Sequence, residues 1–204
     1  MTTLNSAAAD GSALDWSVTA MTCALRRVDE ASAADLPQAI AAATEAMWWV
    51  TAVDAAMARH HPAAYGRALA ALDPAARRAV EKTFAGLRFI RSQLGHSADP
   101  GDFIQRGPAP GAPGATWMWR PVPPPPPQRG RARETSPYRE YRTQLAGRPL
   151  AEALTRGAGF LSSTYAASVA RRKGTAIMRE APMPSGGASM RPEPSRSSLR
   201  QARR

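Results

Sequence analysis

The sequence predicts an all-α protein: a bundle of four to five helices with a long Pro-rich insertion and disordered termini. Apolar side chains recur at three- and four-residue steps over several long stretches, which is the spacing of one face of an α-helix. Two of these stretches follow an aspartate that can cap a helix, Asp35 and Asp73. Between residues 97 and 147 the spacing is lost, and Pro and Gly dominate. These observations indicate helices packed on one another, interrupted by one irregular segment.

The first two predicted helices cover residues 14–30 and 36–60. The apolar face of the first consists of Leu14, Val18, Met21, Leu25 and Val28. The second has Asp35 as its N-cap, and its broad apolar arc contains Ala39, Ala43, Met47, Val50 and Met57. Asp54 is the polar residue on that arc, whereas Trp49 faces away from it. A helix that is contacted on more than one side is typical of the centre of a bundle.

A short helix is predicted from Pro62, and the third long helix covers residues 74–94. Asp73 is its N-cap, and Gly95 is a natural C-terminal stop. One face of this helix consists of Val80, Phe84, Leu87, Arg91 and Leu94. A guanidinium on an apolar face is costly to bury unless it is paired, so Arg91 needs a partner.

The helical bundle domain is predicted to cover residues 13–170, with its last helix running from residue 150 to about residue 170. Residues 1–12 are small and polar and are predicted to be disordered. The basic tail 171–204 has almost no large apolar residues after Gly174, so it cannot offset the entropy of ordering. The tail is therefore predicted to be disordered as well.

Within the bundle domain, residues 97–147 are predicted to form an irregular insertion. Its five-proline run, Pro123–Pro127, favours polyproline II and a stiff spacer. Trp117 and Trp119 are expected to anchor one end of the insertion on the bundle, because burial of two indoles is strongly favourable.

The formal charge of +11 is unevenly distributed along the chain. Residues 1–119 hold 10 basic and 11 acidic residues, whereas residues 171–204 hold nine basic and two acidic residues. The core is therefore nearly neutral, and the tail carries a net charge of +7. Such a tail is suited to salt-sensitive attraction to RNA or DNA, and a passive, solvated tail fits the same composition.

Composition also bears on location and cofactors. Cys23 is the only cysteine, which excludes an intramolecular disulfide and a thiolate metal cluster. The N-terminus does not resemble a signal peptide, and the apolar run from Ala46 to Val53 is too short to span a membrane. A cytoplasmic protein without membrane contact is expected. No metal-ligand pattern or phosphate loop is found, so neither a metal nor a cofactor is expected.

The strongest candidate for chemistry is Arg91 with His96, which follows at the end of the same helix. Arginine can hold a phosphate, and histidine can take and give protons near neutral pH. Together they suit cleavage of a phosphodiester by an internal 2′-hydroxyl, which needs no metal. The structural alternative is that Arg91 either extends its charge to solvent or pairs with a buried acid, and that His96 only caps the helix end.

Asp54 is the predicted partner of Arg91, because both lie on apolar arcs of long helices that should pack together. A bidentate ion pair would explain why each of these two apolar arcs contains one charged residue. In one interpretation Asp54 orients Arg91 or His96 for catalysis. In the other, the buried pair specifies the helix register. The sequence does not favour either interpretation.

The stretch from Phe84 to Asp102, with Arg91, Ser92 and His96, resembles the HEPN superfamily of small helical bundles. In that family an Arg, a polar residue, three further residues and a His close a late helix. The resemblance implies a homodimer whose two motifs face one cleft, acting as a metal-independent endoribonuclease in toxin–antitoxin or phage-defence systems. Arg91 would hold the scissile phosphate and His96 would serve as acid or base. Ser92 stands where the family most often has Asn, and it is shorter and donates differently.

The function predicted from the sequence is therefore RNA binding or RNA cleavage by a dimer. The alternative is a non-enzymatic helical interaction or dimerisation protein that binds a protein partner and carries a basic tail. A third hypothesis is a family member that dimerises but no longer cuts RNA. Replacement of Ser92 by Asn would restore activity in that case.

Overall fold

The computed structural model describes residues 6–31, 35–95, 99–108, 111, 114–124 and 136–180, with side chains described between residues 13 and 171. The described residues form six α-helices, a short 3₁₀ helix and one two-stranded sheet. In chain order these are α1 (Ser6–Glu30), α2 (Leu36–His60), α3 (Pro62–Ala71), α4 (Pro74–Leu94), the 3₁₀ helix (Pro100–Phe103), β1 (Ile104–Pro108), β2 (Ala115–Trp119), α5 (Ser136–Gln144) and α6 (Leu150–Glu180). The prediction of a mainly helical fold is confirmed. The predicted bundle of four to five helices is not confirmed, because six helices are described and neither the sheet nor α5 was predicted.

Local capping signals set the starts of α2 and α4 where the sequence predicted them. The Asp35 carboxylate accepts a hydrogen bond of 3.0 Å from the backbone N–H of Gln38. Asp73 accepts two, each of 2.9 Å, from the N–H groups of Ala75 and Ala76. These bonds satisfy donors that a helix N-terminus otherwise leaves unpaired.

Replacement of Asp73 by alanine is expected to lower the urea midpoint of unfolding at pH 7. The backbone N–H groups of Ala76 and Ala75 lower the pKa of Asp73 in the folded protein. Its contribution is therefore present above the unfolded pKa of about 3.9 and is lost as pH falls through the lower folded value. Urea titrations of wild type and D73A at pH 7 and pH 2 test this, since the difference should shrink in acid. D73N keeps the cap and serves as the control; an equal loss for D73A at both pH values would contradict the expectation.

The core lies where α2 meets α1, α4 and α6. Large side chains that are almost fully buried come from all of these helices: Met21, Met47, Val50, Met57, Phe84, Leu87, Leu154 and Leu161. At Gly157 of α6 a Cβ would meet side-chain atoms of Phe84 and Val50 at 3.1 Å. The helices therefore approach closely there, and α2 has the central position that its two-sided apolar pattern predicted.

The prediction of an irregular insertion over residues 97–147 is wrong for much of that segment. Antiparallel β1 and β2 pair in a register that runs from Ile104 opposite Trp119 to Pro108 opposite Ala115. The helix α5 follows before residue 147. Five-residue strands and a nine-residue helix are too short to show a clear period between the prolines and glycines, which is why the sequence pattern missed them.

This hairpin and α5 form part of the core. Trp117 and Trp119 are buried, which confirms that both indoles anchor the segment, and Trp117 Nε1 donates a hydrogen bond of 3.1 Å to the carbonyl of Ala31. Tyr141 packs against Phe89 of α4, with ring centroids 5.4 Å apart. The segment between α4 and α6 is therefore held to the bundle by aromatic side chains.

The two ends of the described chain differ from the prediction. α1 begins at Ser6, within the segment 1–12 that was predicted to be disordered, and its Ala-rich start has high helix propensity. α6 continues to Glu180, beyond the predicted end near residue 170. Chain contacts divide the protein into a unit of residues 1–169 and a second unit of residues 170–204. The remaining predicted disorder, and Pro125–Pro127 of the proline run, lie outside the described residues.

Candidate functional site

Arg91 lies on α4 facing α2, at the edge of the core. Its Nη1 donates a hydrogen bond of 3.2 Å to the hydroxyl of Thr51. Its guanidinium carbon lies 4.1 Å from the centroid of the Trp48 ring, in a cation–π contact. Trp48 is 51% exposed and Arg91 is half-buried, so the stacked pair reaches solvent. These two contacts orient the guanidinium of the half-buried Arg91.

The predicted pairing of Asp54 with Arg91 is wrong, because Asp54 pairs with Arg88. One carboxylate oxygen accepts a hydrogen bond from the Arg88 guanidinium. The other accepts a bond of 2.6 Å from the hydroxyl of Tyr65 on α3. Asp54 is fully buried, whereas the Arg88 side chain is 55% exposed. The buried acid is thus satisfied without any contribution from the candidate motif.

The register of the two helices explains the difference. Asp54 meets Arg88 and Thr51 meets Arg91, so α2 and α4 run antiparallel. A step of three residues back along α2 corresponds to a step of three forward along α4. Arg88 and Arg91 differ by only about 60° around the helix, so both face α2. The spacing of apolar residues along α4 therefore does not indicate which of the two arginines pairs with Asp54.

Tyr65 links the Asp54–Arg88 pair to the rest of the bundle. Its ring contacts Phe160 of α6 edge-on, with centroids 5.5 Å apart. Burial, followed by the hydrogen bond to Asp54, raises the pKa of the Tyr65 phenol above its ordinary value. No residue of α3 is fully buried, and the hydrogen bond from Tyr65 to Asp54 adds to the packing of Tyr65, Ala68 and Leu69 against the core. The arrangement supports the structural interpretation of Asp54, in which it fixes helix register.

The electrostatic result is that Arg91 keeps an uncompensated charge. Among the described residues it forms no ion pair with a carboxylate, because Asp54 is occupied by Arg88. Thr51 and Trp48 stabilise the guanidinium without neutralising it. An accessible, oriented cation of this kind can accept a phosphate through a bidentate contact.

The other two predicted site residues are placed only in part. Ser92 is exposed at the next position of α4. His96 lies outside the described residues, so the predicted proximity of His96 to Arg91 stays a prediction. Arg91 and Ser92 are neighbours on α4, whereas Asp54 pairs with Arg88 of the same helix.

Sequence reasoning missed the exposed tryptophans. Trp48 contacts Arg91, and Trp49 meets Trp16 of α1 edge-on, with ring centroids 5.0 Å apart. Trp16 is 63% exposed. A signal was available for Trp48, because it lies outside the apolar arc of α2, and a large apolar side chain there must reach another helix or solvent.

Two pockets lie elsewhere on the bundle. A groove of about 460 Å³ between α3, α4 and α6 is lined by Leu72, Phe160 and Arg156, among others. A smaller pocket of about 290 Å³ is lined in part by Val28 and Trp117. Arg91 lines neither of these two pockets. Within the part of the chain that the structure describes, no cluster of three or more His, Cys, Asp or Glu could hold a metal.

Comparison with known proteins adds no family. The chain matches no family model, and no curated protein or solved structure is significantly similar to it. Among the described helices, none combines the length and apolar character needed to cross a bilayer.

Proposed function

We propose that the protein binds RNA as a homodimer, with Arg91 on a backbone phosphate, and cleaves it without a metal when His96 completes the site. The observation that carries the proposal is the guanidinium of the half-buried Arg91, which Thr51 and Trp48 hold in place and which has no carboxylate partner among the described residues. The resemblance of residues 84–102 to the HEPN superfamily supplies the dimer and the role of His96. A toxin–antitoxin or phage-defence setting is proposed on the same ground, whereas a cytoplasmic location is proposed from the single cysteine, Cys23, which fits a reducing compartment.

The proposed reaction is an internal transesterification. The RNA 2′-oxygen forms a bond to the adjacent phosphorus while the bond from phosphorus to the 5′-oxygen breaks. His96 takes the proton from the 2′-hydroxyl or gives one to the leaving 5′-oxygen. Arg91 stabilises the charge that accumulates on the phosphoryl oxygens. The products are a 2′,3′-cyclic phosphate and a 5′-hydroxyl.

Incubation of the purified protein with end-labelled RNA in EDTA is expected to give fragments with 2′,3′-cyclic phosphate ends. R91A should weaken RNA binding about tenfold, since a charge-assisted phosphate contact contributes roughly 1.5 kcal/mol. H96A should keep the fold and the binding but abolish cleavage. R67A is the matched control, because Arg67 is an exposed arginine on α3 away from the site.

Three results distinguish this proposal from the alternatives. Equal rates of RNA cleavage by wild type and H96A would contradict a catalytic role of His96. Equal RNA affinities of R91A and R67A would contradict a phosphate-binding role of Arg91. If the wild-type protein does not cut RNA but its RNA binding depends on Arg91, the protein binds RNA and has lost the cleavage activity. S92N is then expected to restore cutting.

The second candidate is a non-enzymatic interaction protein, which the exposed apolar side chains Trp16 and Leu36 favour. Its basic tail would then supply the whole affinity for RNA. Substitution of the five tail arginines beyond residue 190 by glutamine distinguishes the two candidates. The substituted set is Arg191, Arg196, Arg200, Arg203 and Arg204. Loss of RNA binding in that variant, with no effect of R91A, favours the interaction protein.

A further inference from the structure

The groove of about 460 Å³ between α3, α4 and α6 combines an apolar lining with one charged side chain. Ala68 of α3, Val80 of α4 and Phe160 of α6 supply apolar lining from all three helices. Val80 and Phe160 are buried, so a molecule must enter the groove to contact them. Among the described residues that line the groove, Arg156 alone is charged. The volume lies in the range of roughly 300–1,000 Å³ that is typical of small-molecule sites.

Arg156 lines this groove from α6, and contacts on two sides orient its guanidinium. Nη2 donates a hydrogen bond of 2.8 Å to the carboxylate of Glu152, and Nη1 donates one of 3.4 Å to the hydroxyl of Thr83 on α4. The Arg156 side chain is 30% exposed. Because a guanidinium carries five N–H donors, these two contacts leave donors for an anion.

The ion pair of Arg156 with Glu152 leaves positive charge in excess. Arg148, one turn before Glu152, donates a hydrogen bond of 3.2 Å to the same carboxylate oxygen that Arg156 contacts. Two guanidinium groups thus share one carboxylate, and the three side chains together carry a net charge of +1. One negative charge bound at Arg156 would compensate this excess.

Gly159 leaves the α6 side of the groove open. A Cβ at Gly159 would meet no heavy atom within 4 Å, whereas a Cβ at Gly157 would meet Phe84 and Val50 at 3.1 Å. Glycine inside a helix is destabilising relative to alanine. Close packing accounts for glycine at position 157 but not at position 159, which lines the groove. A larger side chain at position 159 would reduce the space that a ligand can occupy.

We propose that this groove binds a small amphipathic carboxylate, with the carboxylate on Arg156 and an acyl chain along Val80 and Phe160. The apolar lining removes the chain from water, and a guanidinium matches the geometry of a carboxylate. A carboxylate also matches the single excess charge, whereas a phosphate monoester carries more than one negative charge near neutral pH. The inference is independent of the proposed RNA binding, because Arg156 is not part of the candidate site.

Isothermal titration calorimetry of the full-length protein with sodium decanoate, below its micellar concentration, is expected to show saturable binding at one site. R156Q should weaken this binding by at least about tenfold, because it removes a charge-assisted contact. R156K should weaken it less, since lysine keeps the charge. Decanol has the same chain without the charge and should bind at least about tenfold more weakly than decanoate. R67Q is the matched control, because Arg67 is an exposed arginine of α3 that does not line the groove.

G159L tests the groove itself and should weaken decanoate binding by at least about tenfold, because the leucine side chain takes the place of the acyl chain. G66L is its matched control. Gly66 is an exposed glycine of α3 at which a Cβ also meets no heavy atom within 4 Å, and it does not line the groove. Both variants replace a helical glycine by a better helix former, so circular dichroism should show that both are folded.

Equal decanoate affinities of G159L and G66L overturn the inference, and so does the absence of saturable binding to the wild-type protein. Equal affinities of the wild-type protein for decanoate and decanol, or equal losses in R156Q and R67Q, overturn it as well, because Arg156 then does not recognise the carboxylate. If G159L changes the oligomeric state by light scattering but not the decanoate affinity, the groove is a protein interface and the inference fails.

Discussion

Replacement of Arg88 by alanine is expected to lower the free energy of unfolding by about 3 kcal/mol or more. The Asp54 carboxylate is fully buried, and without Arg88 the Tyr65 hydroxyl is its one remaining partner among the described residues. Removal of one member of a buried ion pair leaves an uncompensated charge, which costs roughly 3–5 kcal/mol. Urea unfolding followed by circular dichroism measures the change. R88K should lose less stability than R88A, because lysine keeps the positive charge although it lacks the planar guanidinium.

The matched comparison is R91A, one turn along the same helix. Arg91 is half-buried and its described contacts are the neutral Thr51 hydroxyl and the Trp48 ring, so its loss should cost no more than about 1 kcal/mol. The loss of stability in D54A should lie between the losses in R91A and R88A, because the remaining Arg88 is half-exposed and can be hydrated. If R91A destabilises the protein as much as R88A, the assignment of Asp54 to Arg88 is contradicted.

Replacement of Tyr141 by alanine is expected to cost about 3–5 kcal/mol, as for other large aromatic side chains deleted from a core. The ring is fully buried between Phe89 of α4 and Phe103, and the hydroxyl donates a hydrogen bond to the carbonyl of Arg120. The free energy of unfolding falls because the substitution leaves a cavity in the core. The change should appear as a lower urea midpoint with an unchanged m-value.

Y141F separates packing from hydrogen bonding in the same position. It keeps the ring and removes only the bond to Arg120, so a loss of about 1 kcal/mol is expected. A loss below about 1 kcal/mol for Y141A would show that α5 does not pack on the bundle. That is the behaviour expected of a mobile insertion.

Much of the proposed site could be recognised from the sequence, but which side chains contact one another could not. Asp54 and Arg91 were recognised as polar residues on apolar arcs, and Asp54 is indeed buried. The identity of its partner depends on how far α2 is shifted along α4, a distance set by packing. The contribution of Trp48 depends on the same shift, because only in this register does its ring lie under Arg91.

The sequence by itself determined the long helices and the starts of α2 and α4, because caps such as Asp35 and Asp73 act within a few residues of chain. Only the tertiary structure decided the short elements between α4 and α6. β1, β2 and α5 have too few residues to be stable alone, and they form where Trp117, Trp119 and Tyr141 can be buried against helices distant in sequence. The tertiary structure likewise paired Asp54 with Arg88, and left Arg91 with an accessible charge, because the contacts between two helices depend on their relative register and not on the periodicity of either one.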